Sequence, residues 1–264
     1  MPIAKPPPAA KPKTRLYADA ATLAAGLTVE LSPAQAHQLR NVLRLAAGDA
    51  VALFNRRDGE WLGRIAGLGK GWATVELAER MRPPPHPSAS IDLWLVFAPV
   101  KGGRVETVVE KATELGVSAL LPVLTERSVV DRVNVERLAA HAVEAAEQCE
   151  RLDVPPVYQP QRLDRLIASW PAGRRLLLCD ETGAAPPLAQ ALLAEPAWRS
   201  DPAAVLTGPE GGFAETELDA LRKLPFVSSV GLGPRVLRAD TAALAALSVF
   251  QALAGDWHHH RSAA

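Results

Sequence analysis

Strand-like and helix-like segments alternate along most of this chain, and that alternation restricts the fold more than any other feature of the sequence. Short apolar runs typical of strands cover residues 91–98, 117–124, 175–180, 203–207 and 227–232. Between and after them, apolar residues repeat at helical spacing over residues 104–115, 135–150, 163–170, 187–194, 215–224 and 240–253. Such alternation predicts a mostly parallel sheet covered by helices on both faces. Residues 90–256 are therefore predicted to form one α/β domain.

The front of the chain follows a second pattern, in which short strands are separated by tight turns. Apolar or alternating runs, divided by glycines and charged turns, cover residues 50–54, 61–65 and 72–77. Several short strands at this spacing are typical of a small β-barrel, which is predicted over residues 15–85. The proline cluster that follows, Pro83, Pro84, Pro85 and Pro87, can form neither a helix nor a central strand. It separates the barrel from the α/β domain.

The two ends of the chain are predicted to be tails. Residues 1–14 consist mostly of Pro, Ala and Lys and have almost nothing to bury, which predicts a disordered segment. Residues 257–264 form the second tail and include the run His258–His260. A zinc site needs three or four ligands held by a folded frame, so this run is interpreted as a tag or solvated tail, and no metal is predicted.

Charge is distributed unevenly along the chain. The whole sequence is neutral, with 29 basic and 29 acidic residues, but residues 1–89 carry 12 basic against 7 acidic residues. The remainder carries 17 against 22. This asymmetry is typical of a nucleic-acid-binding module joined to another domain, although solvated surface charge gives the same count.

One helical stretch, residues 33–45, interrupts the strands of the barrel. It is predicted to bury three apolar residues, Leu39, Val42 and Leu43. Its other side carries three basic residues, His37, Arg40 and Arg44. Two interpretations of the basic residues stay open, namely contact with RNA phosphates and a solvated helix face.

The cysteine content and the length of the apolar runs indicate the cellular compartment of the protein. The two cysteines, Cys149 and Cys179, cannot form a disulfide framework, and both thiols are predicted to be buried in a protein of the reducing cytosol. No apolar run approaches the ~20 residues of a membrane span, and the amino terminus lacks a signal-peptide pattern. We therefore expect a cytoplasmic protein.

Two glycine-rich loops are the strongest candidates for a ligand site. Each follows an apolar strand and precedes a helix, which is where open α/β sheets bind their ligands. The first spans residues 206–213, LTGPEGGF, and the second spans residues 231–238, GLGPRVLR. Neither has the Gly-Lys-Ser/Thr ending of a P-loop, and the second lacks the third glycine of the dinucleotide fingerprint. Nucleoside triphosphates and NAD are therefore disfavoured.

Bare backbone beside apolar side chains gives these loops their chemical character. Such a surface suits adenine in a cofactor without phosphates, recognised by backbone N–H and C=O groups. For either loop alone, tight strand-to-helix turns are the better explanation of the glycines. Hydrolytic chemistry has no support, because the histidines His37, His86 and His141 are scattered and no serine has a nucleophile-elbow context.

Taken together, the motifs resemble one known family, the bacterial ribosomal RNA small subunit methyltransferase E family. The motifs that match in order are residues 37–44, Lys101–Arg104, Glu110–Gly116, Glu126–Ser128, Glu144–Cys149, Leu206–Phe213 and Leu232–Ala242. The resemblance extends from Arg15 to about Leu253. It departs from the family pattern at Ala239 and Asp240, where Thr and Glu are expected.

The resemblance implies a fold and an activity. The fold is a PUA-like barrel followed by a SPOUT-type α/β domain whose carboxy-terminal part forms a trefoil knot, whereas the strand and helix pattern alone predicts an ordinary doubly wound sheet. The activity is S-adenosylmethionine-dependent methylation of N3 of a uridine in 16S ribosomal RNA, which makes the protein a ribosome-biogenesis enzyme. The implied partners are 16S rRNA or the assembled small subunit, together with a second copy of the chain in a homodimer.

The resemblance also carries site residues over to this sequence. The implied cofactor-binding residues are Leu206, Thr207, Gly208, Glu210, Gly211, Gly212, Gly231, Leu232, Gly233, Val236, Leu237 and Thr241. The RNA-binding candidates are His37, Arg40, Arg44, Lys101, Arg104 and Arg127.

Methyl transfer from a sulfonium needs alignment and a deprotonated acceptor instead of a covalent nucleophile. Asp240 and Glu210 are the candidate bases, and Arg238 is the candidate for stabilising the uridine anion. Other interpretations stay open for each of them: Glu210 braces its loop, Asp240 caps the last helix and Arg238 binds a phosphate.

Two functions of other classes also remain. One is a non-catalytic RNA-binding or ribosome-assembly protein with a degenerate knot. The other is a nucleotide-dependent oxidoreductase, which the incomplete dinucleotide fingerprint disfavours.

Overall fold

Two units with separate cores make up the chain. The structure, a computed structural model, describes residues 11–18, 22–86, 91–130 and 132–258. The first unit contains the described residues up to His86 together with Glu150–Asp153, and the second contains the other described residues.

The first unit is built on a five-stranded sheet. Its strands are β1 (Arg15–Tyr17), β2 (Thr28–Leu31), β3 (Ala50–Asn55), β4 (Gly59–Gly69) and β5 (Trp72–Arg82). They lie in the order β1-β3-β4-β5-β2, in which β1 and β3 are parallel and the other neighbours are antiparallel. Register shifts between β4 and β5 mark bulges, which bend strands. Apolar residues from all five strands therefore meet in one core.

Lys13 and Thr14 belong to this sheet and are not a free tail. The Lys13 amide donates to the Ala50 carbonyl at 2.9 Å, and the Thr14 carbonyl accepts from the Ala52 amide at 2.9 Å. The sheet thus includes backbone before Arg15, where the barrel was predicted to start. Residues 1–10 of the predicted tail lie outside the described residues.

The helical stretch of this unit begins as predicted and then changes its geometry. Helix α1 (Pro33–His37) starts with a capping box between Ser32 and Gln35, and a π-helical segment (Gln38–Val42) follows. The Leu43 amide donates to the Gln38 carbonyl five residues back, at 2.9 Å. Because this turn is wider than an α-helical one, the predicted apolar face is wrong beyond Leu39. Leu39 is buried, whereas Val42 and Leu43 are exposed.

The second unit is an α/β structure, as the alternation predicted. Its strands are β6 (Leu93–Phe97), β7 (Ala119–Leu124), β8 (Gln161–Arg162), β9 (Arg175–Cys179), β10 (Ala203–Thr207) and β11 (Val227–Val230). Its α-helices are α2 (Arg104–Glu114), α3 (Val135–Gln148), α4 (Leu163–Ala168), α5 (Leu188–Ala194), α6 (Glu215–Arg222) and α7 (Ala239–Leu253). Every strand pairing is parallel. Two apolar cores, one on each face, join the sheet to its helices.

Strand order distinguishes this sheet from an ordinary doubly wound one. The order is β11-β9-β10-β6-β7-β8, so β10 lies between β9 and β6 while β11 lies beyond β9. A doubly wound sheet built from the pattern alone would add its strands outward from the first. The observed order therefore departs from the ordinary doubly wound sheet that the strand and helix pattern predicts. Among the described residues, none of the helices is both long and apolar enough to cross a membrane.

Helix α2 ends at a glycine that the packing requires. Gly116 has φ +85°, and a Cβ atom there would lie 2.9 Å from Nε2 of Gln251 on α7. The fully buried Gln251 donates from Nε2 to the Leu115 carbonyl at 2.7 Å and accepts at Oε1 from the Asp256 amide at 3.0 Å. One buried amide therefore fixes the end of α2 against α7.

We predict that Gly116→Ala lowers the free energy of unfolding more than Gly173→Ala does. Both glycines have positive φ, but a Cβ at Gly173 meets nothing within 4 Å. The backbone strain of about 1–2 kcal/mol is thus common to both variants, and the Gln251 contact adds to it only in Gly116→Ala. Urea unfolding with unchanged m-values measures the difference. Equal losses would show that Gln251 moves aside without cost.

Candidate functional site

A cavity of about 740 Å³ opens at the carboxyl ends of β9, β10 and β11. These strands are neighbours in a parallel sheet, so the loops that follow them leave from the same edge. Residues from all three loops line the cavity, within 179–187, 207–212 and 231–242. The two glycine-rich loops of the sequence analysis are therefore brought together at one site.

The loop after β10 has a tightly packed backbone. A Cβ at Gly208 would lie 2.9 Å from the Phe213 ring, and Gly212 has φ +67°. The Glu210 carboxylate accepts a hydrogen bond from the Lys101 amide at 3.2 Å. Gly208, Glu210 and Gly212 all line the cavity.

Gly211 has a different surrounding from the glycines beside it. Its φ is not positive, and a Cβ there would meet Arg127 at an ordinary contact distance of 3.6 Å. The Arg127 guanidinium donates to the Gly211 carbonyl at 3.2 Å. Gly211 thus faces Arg127 and is not among the lining residues, so the conformational need for glycine falls on Gly212.

The loop after β11 presents a mixture of apolar and cationic side chains. Arg235, Val236, Leu237 and Arg238 line the cavity, and Val236 is 87% exposed. Gly233 has φ +97°, with nothing within 4 Å of a Cβ placed there. This glycine allows the loop to turn without filling the cavity.

Asp240 does not cap the last helix, contrary to one interpretation of the sequence. The N-cap of α7 is Arg238, whose carbonyl accepts from the Ala242 amide at 2.7 Å. Asp240 lies in the first turn, where an acid is favoured by the helix dipole, and its carboxylate accepts from the Thr241 amide at 2.9 Å. It does not line the cavity, whereas Arg238 does.

A third loop, residues 180–187 after β9, was missed by the sequence analysis. Its Glu181 carboxylate accepts from the Phe213 amide at 3.0 Å. At its other end, the Gly231 amide donates to the Pro186 carbonyl at 2.8 Å, and the Leu188 amide donates to the Gly231 carbonyl at 2.9 Å. The loop therefore joins the two glycine-rich loops. Two carboxylates and Gly183 directly after an apolar strand were the signal that could have found it.

Asp180 anchors this third loop to α6. Its nearly buried carboxylate pairs with the Arg222 guanidinium at 2.6 Å and accepts from the Thr182 hydroxyl at 2.6 Å. Burial alone would raise the pKa of Asp180, but the hydrogen bonds from Thr182 and Arg222 outweigh it and lower that pKa. Asp180 is thus an ionised anchor and not a proton donor.

The predicted site residues divide by position. Those that line the cavity are Thr207, Gly208, Glu210, Gly212, Gly231, Leu232, Gly233, Val236, Leu237 and Arg238. Those that do not are Leu206, Gly211, Asp240 and Thr241. Leu206 is fully buried in the core beneath the loop, where it supports the end of β10.

The RNA-binding candidates fall into two groups. His37, Arg40 and Arg44 are exposed in the first unit, and Arg44 has φ +54°. In the second unit, Lys101 and Arg127 contact the Glu210–Gly211 segment, while Arg104 begins α2. Lys101 and Arg127 therefore lie beside the loop after β10.

The cysteines and histidines give no metal centre in the described part of the chain, where no group of three or more His, Cys, Asp or Glu residues is arranged for one. His259 and His260 lie outside the described residues. Cys179 is buried as predicted, but the prediction is wrong for Cys149, which is only half-buried at the end of α3.

Comparison with known proteins gives the family. Residues 87–251 match the RNA methyltransferase domain family, and residues 31–78 match the RNA methyltransferase PUA domain. The ribosomal RNA small subunit methyltransferase E of Rickettsia conorii is 32% identical over 235 residues, which cover 89% of this chain and 93% of that protein. The chain belongs to the ribosomal RNA small subunit methyltransferase E family. The member from Synechocystis is 34% identical over 230 residues, covering 86% of this chain and 73% of that protein.

Solved structures agree with this membership. The family member from Neisseria gonorrhoeae, bound to S-adenosylmethionine, matches with a TM-score of 0.79 and 28% identity over 92% of this chain and 99% of that one. A methyltransferase from Legionella pneumophila, also in complex with that cofactor, matches with a TM-score of 0.79 and 30% identity. The match covers 90% of this chain and 97% of that one. The protein is thus an rRNA methyltransferase with a PUA domain and a SPOUT-type domain. The oxidoreductase alternative is wrong, and the non-catalytic one is not favoured.

We predict that Asp180→Asn makes the protein less stable at pH 7 and less sensitive to acid. The pKa of Asp180 is lower in the folded state than the unfolded value of about 3.9. Its contribution to stability is therefore complete above that value and is lost as the pH falls through the folded pKa. We expect Asp180→Asn to lower the free energy of unfolding by about 1–3 kcal/mol at pH 7. Below about pH 4, the free energy of unfolding of the variant should fall less steeply with pH than that of wild type.

Asp219→Asn is the matched control, because Asp219 pairs with the same arginine at 3.8 Å but is largely exposed. It should change stability by less than about 0.5 kcal/mol. Urea unfolding at several pH values measures both variants. An acid profile of Asp180→Asn that matched wild type would contradict the assignment of Asp180 as an ionised anchor.

Proposed function

We propose that the protein transfers a methyl group from S-adenosylmethionine to N3 of a uridine in 16S ribosomal RNA. The observation that carries this proposal is the cavity formed by three adjacent loops, in a chain whose solved relatives bind this cofactor. The proposal includes a cytoplasmic location. It also includes a homodimer, in which a second copy would cover the exposed Val236 beside the cavity.

The residues around the cavity fit the cofactor in size and chemistry. A volume of about 740 Å³ lies within the ~300–1,000 Å³ of small-molecule sites. Leu232, Val236 and Leu237 offer apolar contact for adenine, and the glycine backbone offers hydrogen bonds. Acidic Glu181 and basic Arg235 line the same cavity, as a zwitterionic amino-acid end requires.

When bound, S-adenosylmethionine supplies an activated methyl group. The protein's part is to orient the uridine and to remove its N3 proton, since the protonated nitrogen is a poor nucleophile. Of the two candidate bases, Glu210 lines the cavity and Asp240 does not. The Lys101 amide donates to one carboxylate oxygen of Glu210 and so helps to hold the side chain in place at the cavity. We therefore assign the removal of the uridine N3 proton to Glu210.

Arg238 is assigned the role of stabilising the negative charge that develops on the uracil ring. It lines the cavity and is exposed at the start of α7, so its guanidinium is free to meet a base that enters from solvent. A permanent, planar cation with several donors suits a ring whose charge is shared by two carbonyl oxygens.

The direct test of the function is to incubate the purified protein with small subunits from a strain lacking the enzyme, and with S-adenosylmethionine. Nucleoside digestion should release 3-methyluridine at one position of 16S rRNA. Another methylated nucleoside would overturn the uridine N3 assignment. Binding of both ligands with no methylated product would favour the non-catalytic alternative.

We predict that Arg40→Gln with Arg44→Gln weakens RNA binding and lowers its salt dependence. Each lost phosphate contact should reduce the slope of log affinity against log salt by about one unit. Arg80→Gln, at an exposed position on β5, is the control for simple loss of charge. Filter binding over a salt series measures the effect. Unchanged affinity and slope would establish the solvated-face interpretation of these arginines.

We predict that Arg238→Ala lowers the single-turnover methylation rate by about 10²- to 10³-fold, with cofactor and RNA binding close to wild type. Lys223→Ala, which removes an exposed cation that does not line the cavity, shows how much of the loss comes from removing any cation. If Arg238 only binds phosphate, saturating RNA should restore the rate. Wild-type rate and affinity would remove Arg238 from the site.

A further inference from the structure

Glu181 is held in a fixed position on the wall of the cavity. Its Oε1 accepts from the Phe213 amide at 3.0 Å, and its carboxyl group lies so close to Gly212 that a Cβ there would overlap with it. The side chain is exposed and lines the cavity. One carboxylate oxygen is thus used to hold the loop after β10, while the group as a whole faces the ligand space.

Glu181 differs from the other two carboxylates of the cavity in what it contacts. Asp180 is paired with Arg222, and Glu210 accepts the Lys101 amide. Within the described part of the chain, Glu181 forms no ion pair with a Lys, Arg or His side chain; the nearby Arg222 is taken by Asp180 and Asp219. Its negative charge is therefore available to a bound cation.

We propose that Glu181 binds the cationic end of the cofactor and so contributes to its recognition. The inference rests on the S-adenosylmethionine site proposed above. That cofactor carries positive charge on its sulfonium and on its ammonium group, close together at one end. A carboxylate already oriented by a backbone amide loses little freedom on pairing with a cation, which makes the contact effective.

The test is the affinity of Glu181→Gln for three ligands, measured by calorimetry without RNA. Glutamine keeps an oxygen to accept the Phe213 amide but removes the charge. S-adenosylmethionine carries both cations, S-adenosylhomocysteine only the ammonium, and 5′-methylthioadenosine neither. We expect S-adenosylmethionine to bind about tenfold more weakly, as for loss of one charge-assisted contact, and 5′-methylthioadenosine to bind within twofold of wild type.

Binding of S-adenosylhomocysteine identifies which of the two cations Glu181 contacts. Loss for S-adenosylmethionine alone assigns the sulfonium, and equal loss for both charged ligands assigns the ammonium. Glu215→Gln, which removes an exposed carboxylate at the start of α6 that does not line the cavity, should change none of the affinities. Thermal unfolding of each variant checks that the fold is intact.

Two results would overturn the proposal. A loss that is equal for all three ligands would reduce Glu181 to a brace for the loop, and unchanged affinity for S-adenosylmethionine would remove it from recognition. Both results are independent of the uridine assignment, because no RNA is present. A failure of 3-methyluridine formation would leave the binding result standing.

Discussion

The site depends on hydrogen bonds between loops that are far apart in the sequence. The loop after β9 accepts the Phe213 amide through Glu181 and exchanges backbone hydrogen bonds with Gly231. Loops of this kind have little apolar area to hold them, so pairing with a neighbour is what keeps their polar backbone in one arrangement. Without the central loop, the two glycine-rich loops would have no common wall.

The parallel sheet supplies the frame for that arrangement. Strand β9 lies between β10 and β11, so the loop that follows β9 leaves the sheet between the other two. Both faces of the sheet are covered by packed helices, and the cavity lies at the carboxyl ends of the strands, among the loops that follow them. The Asp180–Arg222 pair then ties the central loop to α6. Position in the sheet and one ion pair together determine where a ligand can bind.

Periodicity in the sequence was sufficient to predict most of the elements of the second unit. In the helix predicted over residues 104–115, Val105, Val108, Val109 and Ala112 pack in one core, and the positive-φ Gly116 follows the helix. Strand order could not be predicted in this way, because local spacing does not say which strands become neighbours. The motif resemblance, which uses residues from several elements at once, was needed to predict the SPOUT-type fold.

Local deviations also escaped the sequence analysis. The π-helical turn at Gln38–Val42 exposes Val42, because periodicity assumes an α-helix throughout. The third loop was missed because its side chains match no phosphate or metal motif, and its role comes from contacts with Phe213 and Gly231. Arg238 and Glu210 were found by resemblance, and the structure adds that both line one cavity.

The buried cysteine of the cavity has a chemical consequence for an enzyme that handles a methylating agent. Burial, together with the charge of Glu181, raises the pKa of Cys179 to about 12. The thiol is therefore protonated at neutral pH, whereas the thiolate is the nucleophilic form. A thiolate at this wall could compete with the RNA as acceptor of the methyl group, and its sulfur would then be methylated. As a buried and protonated thiol, Cys179 is a poor nucleophile on the wall of the cavity.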